Sequence, residues 1–131
     1  MSINLMLEGA DRMCFPCNRT SANDSLSASA EEIAKNQFDK VVLLGKRTHQ
    51  YTYPILKNKL PSNRLASFVQ AGEVLDYLQK EITGGETILF KGALGLEGVI
   101  DQLLADPNDS KQLVRRGAAW DKRRKSWGLP K

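Results

Sequence analysis

Lys40-Val41-Val42-Leu43-Leu44-Gly45-Lys46-Arg47-Thr48 is the stretch on which the fold assignment turns. Four apolar residues follow one another with no polar alternation, the form of a strand covered on both faces, as parallel strands are. Glycine closes the run, and a helical pattern begins directly after it. Two similar runs lie downstream. Leu65-Ala66-Ser67-Phe68-Val69 is a weaker copy, and Thr87-Ile88-Leu89-Phe90-Lys91-Gly92 is a strong one. Ile3 and Leu7 bound a fourth candidate strand at the start of the chain.

Helical patterns separate these runs. Residues 25–36 carry Leu26, Ala30, Ile33 and Ala34 at helical spacing, with Asp24 or Ser25 available as N-cap. Residues 48–59 put Tyr51, Ile55 and Leu56 on one side, with Pro54 in the first turns, where proline costs least. Residues 71–82 align Val74, Leu75, Leu78 and Ile82 and stop at Gly84-Gly85. Residues 96–104 align Leu96, Val99, Ile100, Leu103 and Leu104, then meet Asp106-Pro107-Asn108-Asp109. Regular alternation of buried-type strands with helices predicts an α/β fold on a mostly parallel sheet with right-handed crossovers.

The chain has 131 residues, enough for one compact core and too few for two ordinary domains. Its 41% hydrophobic and 26% charged content are those of a globular domain. No apolar run approaches the roughly 20 residues that cross a bilayer. The N-terminus lacks the basic segment of a secretory signal, so a cytoplasmic location is expected.

Charge is unevenly spread. From Lys111 onward there are eight basic residues and one acid, Asp121, so this tail carries +7 and the preceding body −3, which together give the net +4. Residues 110–131 predict a basic C-terminal helix with Leu113, Gly117, Trp120, Arg124 and Trp127 on one face. Basic residues interleaved with tryptophan suit nucleic acid or an anionic membrane. The simpler expectation, which we favour at this level, is a terminal helix that docks its apolar stripe and turns its basic face to water.

Cys14-Phe15-Pro16-Cys17 has the spacing of a redox pair. The polar run Asn18-Arg19-Thr20-Ser21-Ala22-Asn23-Asp24-Ser25 follows it instead of an amphipathic helix, which favours two ordinary thiols. A zinc site needs four ligands, and His49 is the only histidine, so neither a metal centre nor a Ser-His-Asp set is expected.

Ligands of open parallel sheets bind beyond the carboxyl ends of the strands. Two turns there are candidates: Gly45-Lys46-Arg47-Thr48, and Lys91-Gly92-Ala93-Leu94-Gly95-Leu96-Glu97-Gly98. Glycines admit a close backbone approach, and Lys91 adds positive charge, which together suit a carboxylate or phosphate. The equally weighted alternative is a plain strand-to-helix turn with Lys91 in water. Neither turn has the spacing of a dinucleotide fingerprint or of a P-loop.

Taken in order, Phe38-Asp39-Lys40-Val41-Val42-Leu43-Leu44-Gly45-Lys46-Arg47-Thr48, a strand ending at Phe68, and Gly84-Gly85-Glu86-Thr87-Ile88-Leu89-Phe90-Lys91-Gly92-Ala93 resemble the C-terminal domain of Mur ligases. The branch they resemble most is the UDP-N-acetylmuramoyl-tripeptide–D-alanyl-D-alanine ligases. Glu97, Val99 and Ile100 suit the family's following helix, and Leu113-Val114-Arg115-Arg116 with Trp120 resembles the end of some members. The resemblance covers about residues 26–127. Ala93 stands where the family has serine, the Asn-Ala-Asn-Pro turn has only a faint counterpart at Ala22-Asn23-Asp24-Ser25, and residues 1–24 are poorly accounted for.

The resemblance implies a Rossmann-like, three-layer domain over residues 25–109, flanked by an N-terminal segment (1–24) and the basic C-terminal helix (110–131). It implies the part of an ATP-dependent ligase that swings in to close the site while D-alanyl-D-alanine is joined to a UDP-muramoyl peptide. ATP and magnesium are implied for the full ligase and no cofactor for this chain, whose partners are the remaining ligase domains, with no nucleic acid expected. Lys91, Gly92, Ala93, Gly45, Arg47 and Thr48 are the expected substrate-side residues, and no catalytic residue or nucleophile is assigned. The alternative is a stand-alone α/β module holding an anionic small molecule, or RNA through its tail. A redox protein using Cys14 and Cys17 comes third.

Overall fold

The computed structural model describes the backbone of residues 2–7 and, with their side chains, residues 28–91 and 96–130. Among the described residues there are four strands, β1 (Ser2–Leu7), β2 (Lys40–Leu44), β3 (Leu65–Phe68) and β4 (Thr87–Lys91). They form one sheet in the order β3-β2-β1-β4, with every pairing parallel. Leu7 of β1 lies opposite Leu44 of β2, and Met6 lies opposite Lys91 of β4. The fold is α/β around a small parallel sheet. Residues 2–7 are one of its two central strands, although the sequence groups them with a separate N-terminal segment.

The helices are α1 (residues 28–35), α2 (Tyr53–Lys57), α3 (Ala71–Glu81), α4 (Leu96–Leu103) and α5 (Ala118–Ser126). Alternate residues of β2 enter two different clusters, as the two-residue period of a strand requires. Val41 and Leu43 pack with Ala30 and Ile33 of α1 and Leu56 of α2. Val42 and Leu44 pack with Val74, Leu75 and Leu78 of α3 and with Leu96 and Val99 of α4. Each fully buried Val or Leu contributes about 1.5–3 kcal/mol, so the unbroken apolar run of β2 holds both faces of the sheet.

β4 departs from that pattern. It is an edge strand whose Ile88 and Phe90 face the α3–α4 cluster, while Thr87, Leu89 and Lys91 are exposed on the other side. Leu89 keeps 52% of its surface. A continuous apolar run does not distinguish a central strand from an edge strand, and β4 is the case that shows it.

The helix expected over residues 48–59 is divided. Thr48–Thr52 form a π-helical turn that passes into α2, where Pro54 occupies the first turn. Proline offers no N–H and its ring crowds the carbonyl four residues back, so widening the preceding turn relieves the clash. The Thr52 hydroxyl in this turn is buried and has no hydrogen-bond partner among the described residues.

α3 follows the sequence closely. Gln70 and Glu73 form a reciprocal capping box, with the Gln70 N–H donating to Glu73 Oε2 at 3.1 Å. Past its end, Gly84 and Gly85 take φ of 114° and 85°, and Glu86 ties that turn together. Its carboxylate accepts from the Thr83 N–H and hydroxyl and from the Gly84 N–H, each at 2.8 Å. Led by the Thr83 backbone bond, these lower the Glu86 pKa to about 2.

The tail is not one helix. A 3-10 turn at Pro107–Gln112 is followed by an irregular segment, and only Ala118–Ser126 are α-helical. Arg115 at φ 60° and Gly117 at φ 102° interrupt the backbone between them. Gly117, which helical spacing places on the apolar face, stands at the N-cap of α5 instead.

Candidate functional site

Parallel pairing brings all four carboxyl ends to one edge of the sheet. The chain runs from β1 through β2 to β3 on one side and returns to β4 on the other, so the strand order reverses between β1 and β4. A crevice at such a reversal is where open α/β sheets hold ligands. Lys91 stands at the end of β4, exposed, on the face away from α3 and α4. The Gly45 turn stands at the end of β2. Only β1 separates the two, which puts them roughly 10 Å apart at ordinary strand spacing.

The Gly45 turn is built by its backbone. Gly45 has φ 118°, which an L side chain rarely adopts, and its N–H donates to Phe68 O at 2.9 Å, extending the β2–β3 ladder. Its carbonyl accepts from the His49 N–H at 3.0 Å. Thr48 is fully buried, and its hydroxyl donates to Leu44 O at 2.7 Å and approaches Gly45 O at 3.1 Å. Thr48 therefore fixes the turn with a hydroxyl already engaged. At this end of β2 Lys46 is exposed and Arg47 is half-buried. Gly92 and Ala93 lie outside the described residues, as do Cys14 and Cys17.

The structure adds a group that spacing did not reveal. His49 Nδ1 lies 2.9 Å from Ser67 Oγ of β3, and its ring stacks on Tyr53 at 5.3 Å with an interplanar angle of 9°. His49 is exposed, so the carboxyl edge near β2 and β3 presents an imidazole held in place on two sides. Nothing in the sequence links residues 49 and 67. The only signal is that His49 follows Gly45 by one helical turn, which returns its side chain toward the sheet edge.

Gly98 has a role different from that expected of it. It is buried in α4, and a Cβ there would lie 2.5 Å from Leu129 Cδ1 and 3.3 Å from Arg124 Cγ. The absent side chain makes room for the C-terminal segment, not for a ligand.

Among the described residues, no group of three or more His, Cys, Asp or Glu side chains gathers to hold a metal ion, and none of the helices is long and apolar enough to cross a membrane. Comparison with protein-family models, with curated proteins and with solved structures finds no match to this chain.

Proposed function

We propose that this chain is a three-layer, Rossmann-like domain of the Mur ligase C-terminal type. In the cytoplasm it would close over the substrates of an ATP-dependent ligase that joins D-alanyl-D-alanine to a UDP-muramoyl peptide. The observation that carries the proposal is the placement of Lys91 at the carboxyl end of β4, beside the reversal of strand order, with the Gly45–Thr48 turn on the far side of β1. An exposed ammonium there suits the carboxylate of an incoming dipeptide. Lys46 and Arg47 supply further positive charge along the same edge, while Gly45 and Thr48 hold the turn that presents it.

In this reading ATP and magnesium are held by the other ligase domains and not by this chain. The sequence carries no P-loop. The nucleotide chemistry belongs to the remaining ligase domains, on the same chain or a separate one, and no step through it is assigned to residues here.

The test has two arms. The purified chain, given ATP, UDP-muramoyl tripeptide and D-alanyl-D-alanine, is expected to release no ADP. Fused behind the two other domains of a ligase that lacks its third, it is expected to restore ADP release. In that fusion Lys91→Ala should lower kcat/KM for the dipeptide by roughly tenfold to a hundredfold, the value of one charged hydrogen bond. ATP turnover by the isolated chain, or a fusion indifferent to Lys91→Ala, contradicts the proposal. A second reading draws on Lys46 and Lys91 at one edge of the sheet. It is a stand-alone α/β module for an anionic small molecule, and it predicts binding of such a molecule without any ligase domain.

A further inference from the structure

The tail's positive charges divide into two sets. Arg124 is 7% exposed, and its guanidinium faces Asp101 at 3.7 Å and Asp121 at 3.9 Å. Arg115 pairs with Glu97 of α4. These two arginines are neutralised where the tail meets the body. Lys122, Arg123 and Lys125 of α5 are exposed, and no carboxylate among the described residues pairs with any of them. Lys111 and Arg116 are exposed without a carboxylate partner too. The body, by contrast, is net negative. Folding has thus turned the neutralised cations inward and collected the unpaired ones outward.

An aromatic ring belongs to this surface. Trp120 is half-buried, with the Arg123 guanidinium 4.7 Å and that of Arg115 5.9 Å from its ring centre. A guanidinium lying over an indole makes a flat, cationic platform on which a nucleobase can stack.

α5 lacks what a membrane would need. An interfacial helix buries an apolar face in the lipid. Here the apolar groups of the tail are already used, because Leu129 is 3% exposed and Trp127 packs against the α3–α4 cluster. Apart from Trp120, the exposed part of α5 is charged residues, Ala118, Ala119 and Ser126. Val114, outside the helix, is the tail's exposed large hydrophobic residue.

We propose that the outer face of α5 binds single-stranded nucleic acid, with Lys122, Arg123 and Lys125 contacting phosphates and the Trp120–Arg123 platform accepting a base. This goes beyond the ligase reading and does not depend on it. It also departs from the expectation of no nucleic-acid partner, because sequence alone does not show which of the eight cations remain unpaired.

The experiment is fluorescence anisotropy of the full chain with a labelled twenty-nucleotide oligouridylate, at 50 and 200 mM salt. Three phosphate contacts on a single strand give a salt slope of about −2, so affinity should fall about fifteenfold to twentyfold over that range. The triple variant Lys122→Glu, Arg123→Glu, Lys125→Glu is expected to lose binding by more than tenfold with its circular dichroism melt unchanged. In a Trp127→Phe background the remaining indole, Trp120, is expected to be quenched by oligouridylate but not by heparin. The proposal is overturned by no binding at 50 mM salt, by full binding of the triple variant, or by capture on phosphatidylserine vesicles but not by oligouridylate. Equal affinity for heparin with no Trp120 quenching would also overturn it, reducing the face to a general polyanion surface.

Discussion

Gly72→Ala is expected to destabilise the protein by about 2–4 kcal/mol and to lower its melting temperature by about 10 °C. Gly72 lies in the first turn of α3, where alanine ordinarily gains up to about 1 kcal/mol in helix propensity. Sterics oppose that gain. A Cβ at this position would overlap the carbonyl oxygen of Gly128 and sit 2.9 Å from its carbon. These are backbone atoms, so the whole segment must move. The movement breaks the hydrogen bond from the Gly72 N–H to Trp127 O, 3.0 Å in the wild type, and lifts Leu129 out of the α3–α4 cluster. The bond is worth about 1 kcal/mol and the leucine about 2, so the steric loss exceeds the propensity gain. Limited trypsin digestion should then cut first among the basic residues of α5. An unchanged melt with unchanged digestion would mean that the tail is not part of the core.

Arg124→Ala is the second substitution with a large expected effect, about 2–3 kcal/mol. The guanidinium is nearly buried, and besides the two aspartates it donates to Arg115 O at 3.4 Å. Removing it leaves Asp101 of α4, itself largely covered, without its cation. Both aspartate distances are close to the limit of an ion pair, and Asp121 is half in water, so the loss is smaller than that of a fully buried pair. Adding Asp101→Asn to Arg124→Ala should recover part of the loss, because the uncompensated charge is then gone. A denaturant melt showing Arg124→Ala within 0.5 kcal/mol of wild type, roughly the value of an ordinary surface change, would contradict this account of the tail.

The fold was legible where pattern and burial agree. The unbroken run in β2 correctly signals a strand covered on both faces, and the period of α3 correctly names Val74, Leu75 and Leu78 as its buried side. The same rule assigns β4 as a strand and misjudges its outer face, because Leu89 contributes to an apolar run without being covered. Helical spacing also sets Arg124 beside Trp127, and both do face the body. It could not locate the break before them, since Arg115 holds a positive φ with no local sequence cue.

Less of the candidate site could be read. The position of Lys91 follows from the strand pattern, but the strand order that puts it next to β1 is a property of long-range pairing. Thr48 looks like a ligand-side hydroxyl in sequence and is a buried turn-fixing one in structure. The His49–Ser67 contact joins residues eighteen apart through the β2–β3 pairing, which no local window contains. Gly98 belongs in sequence to a glycine series, and only its contact with Leu129 explains it.

The proposed dipeptide site is the carboxyl edge bounded by Lys91 and the Gly45 turn. Titrating the isotopically labelled chain with D-alanyl-D-alanine, while following its amide resonances, tests this directly. Saturable shifts are expected at Gly45, Lys46, Arg47, His49 and Lys91, and they should disappear in Lys91→Ala. Shifts confined to the tail, or none at this edge up to several times the dipeptide concentration that saturates a complete ligase, would contradict it.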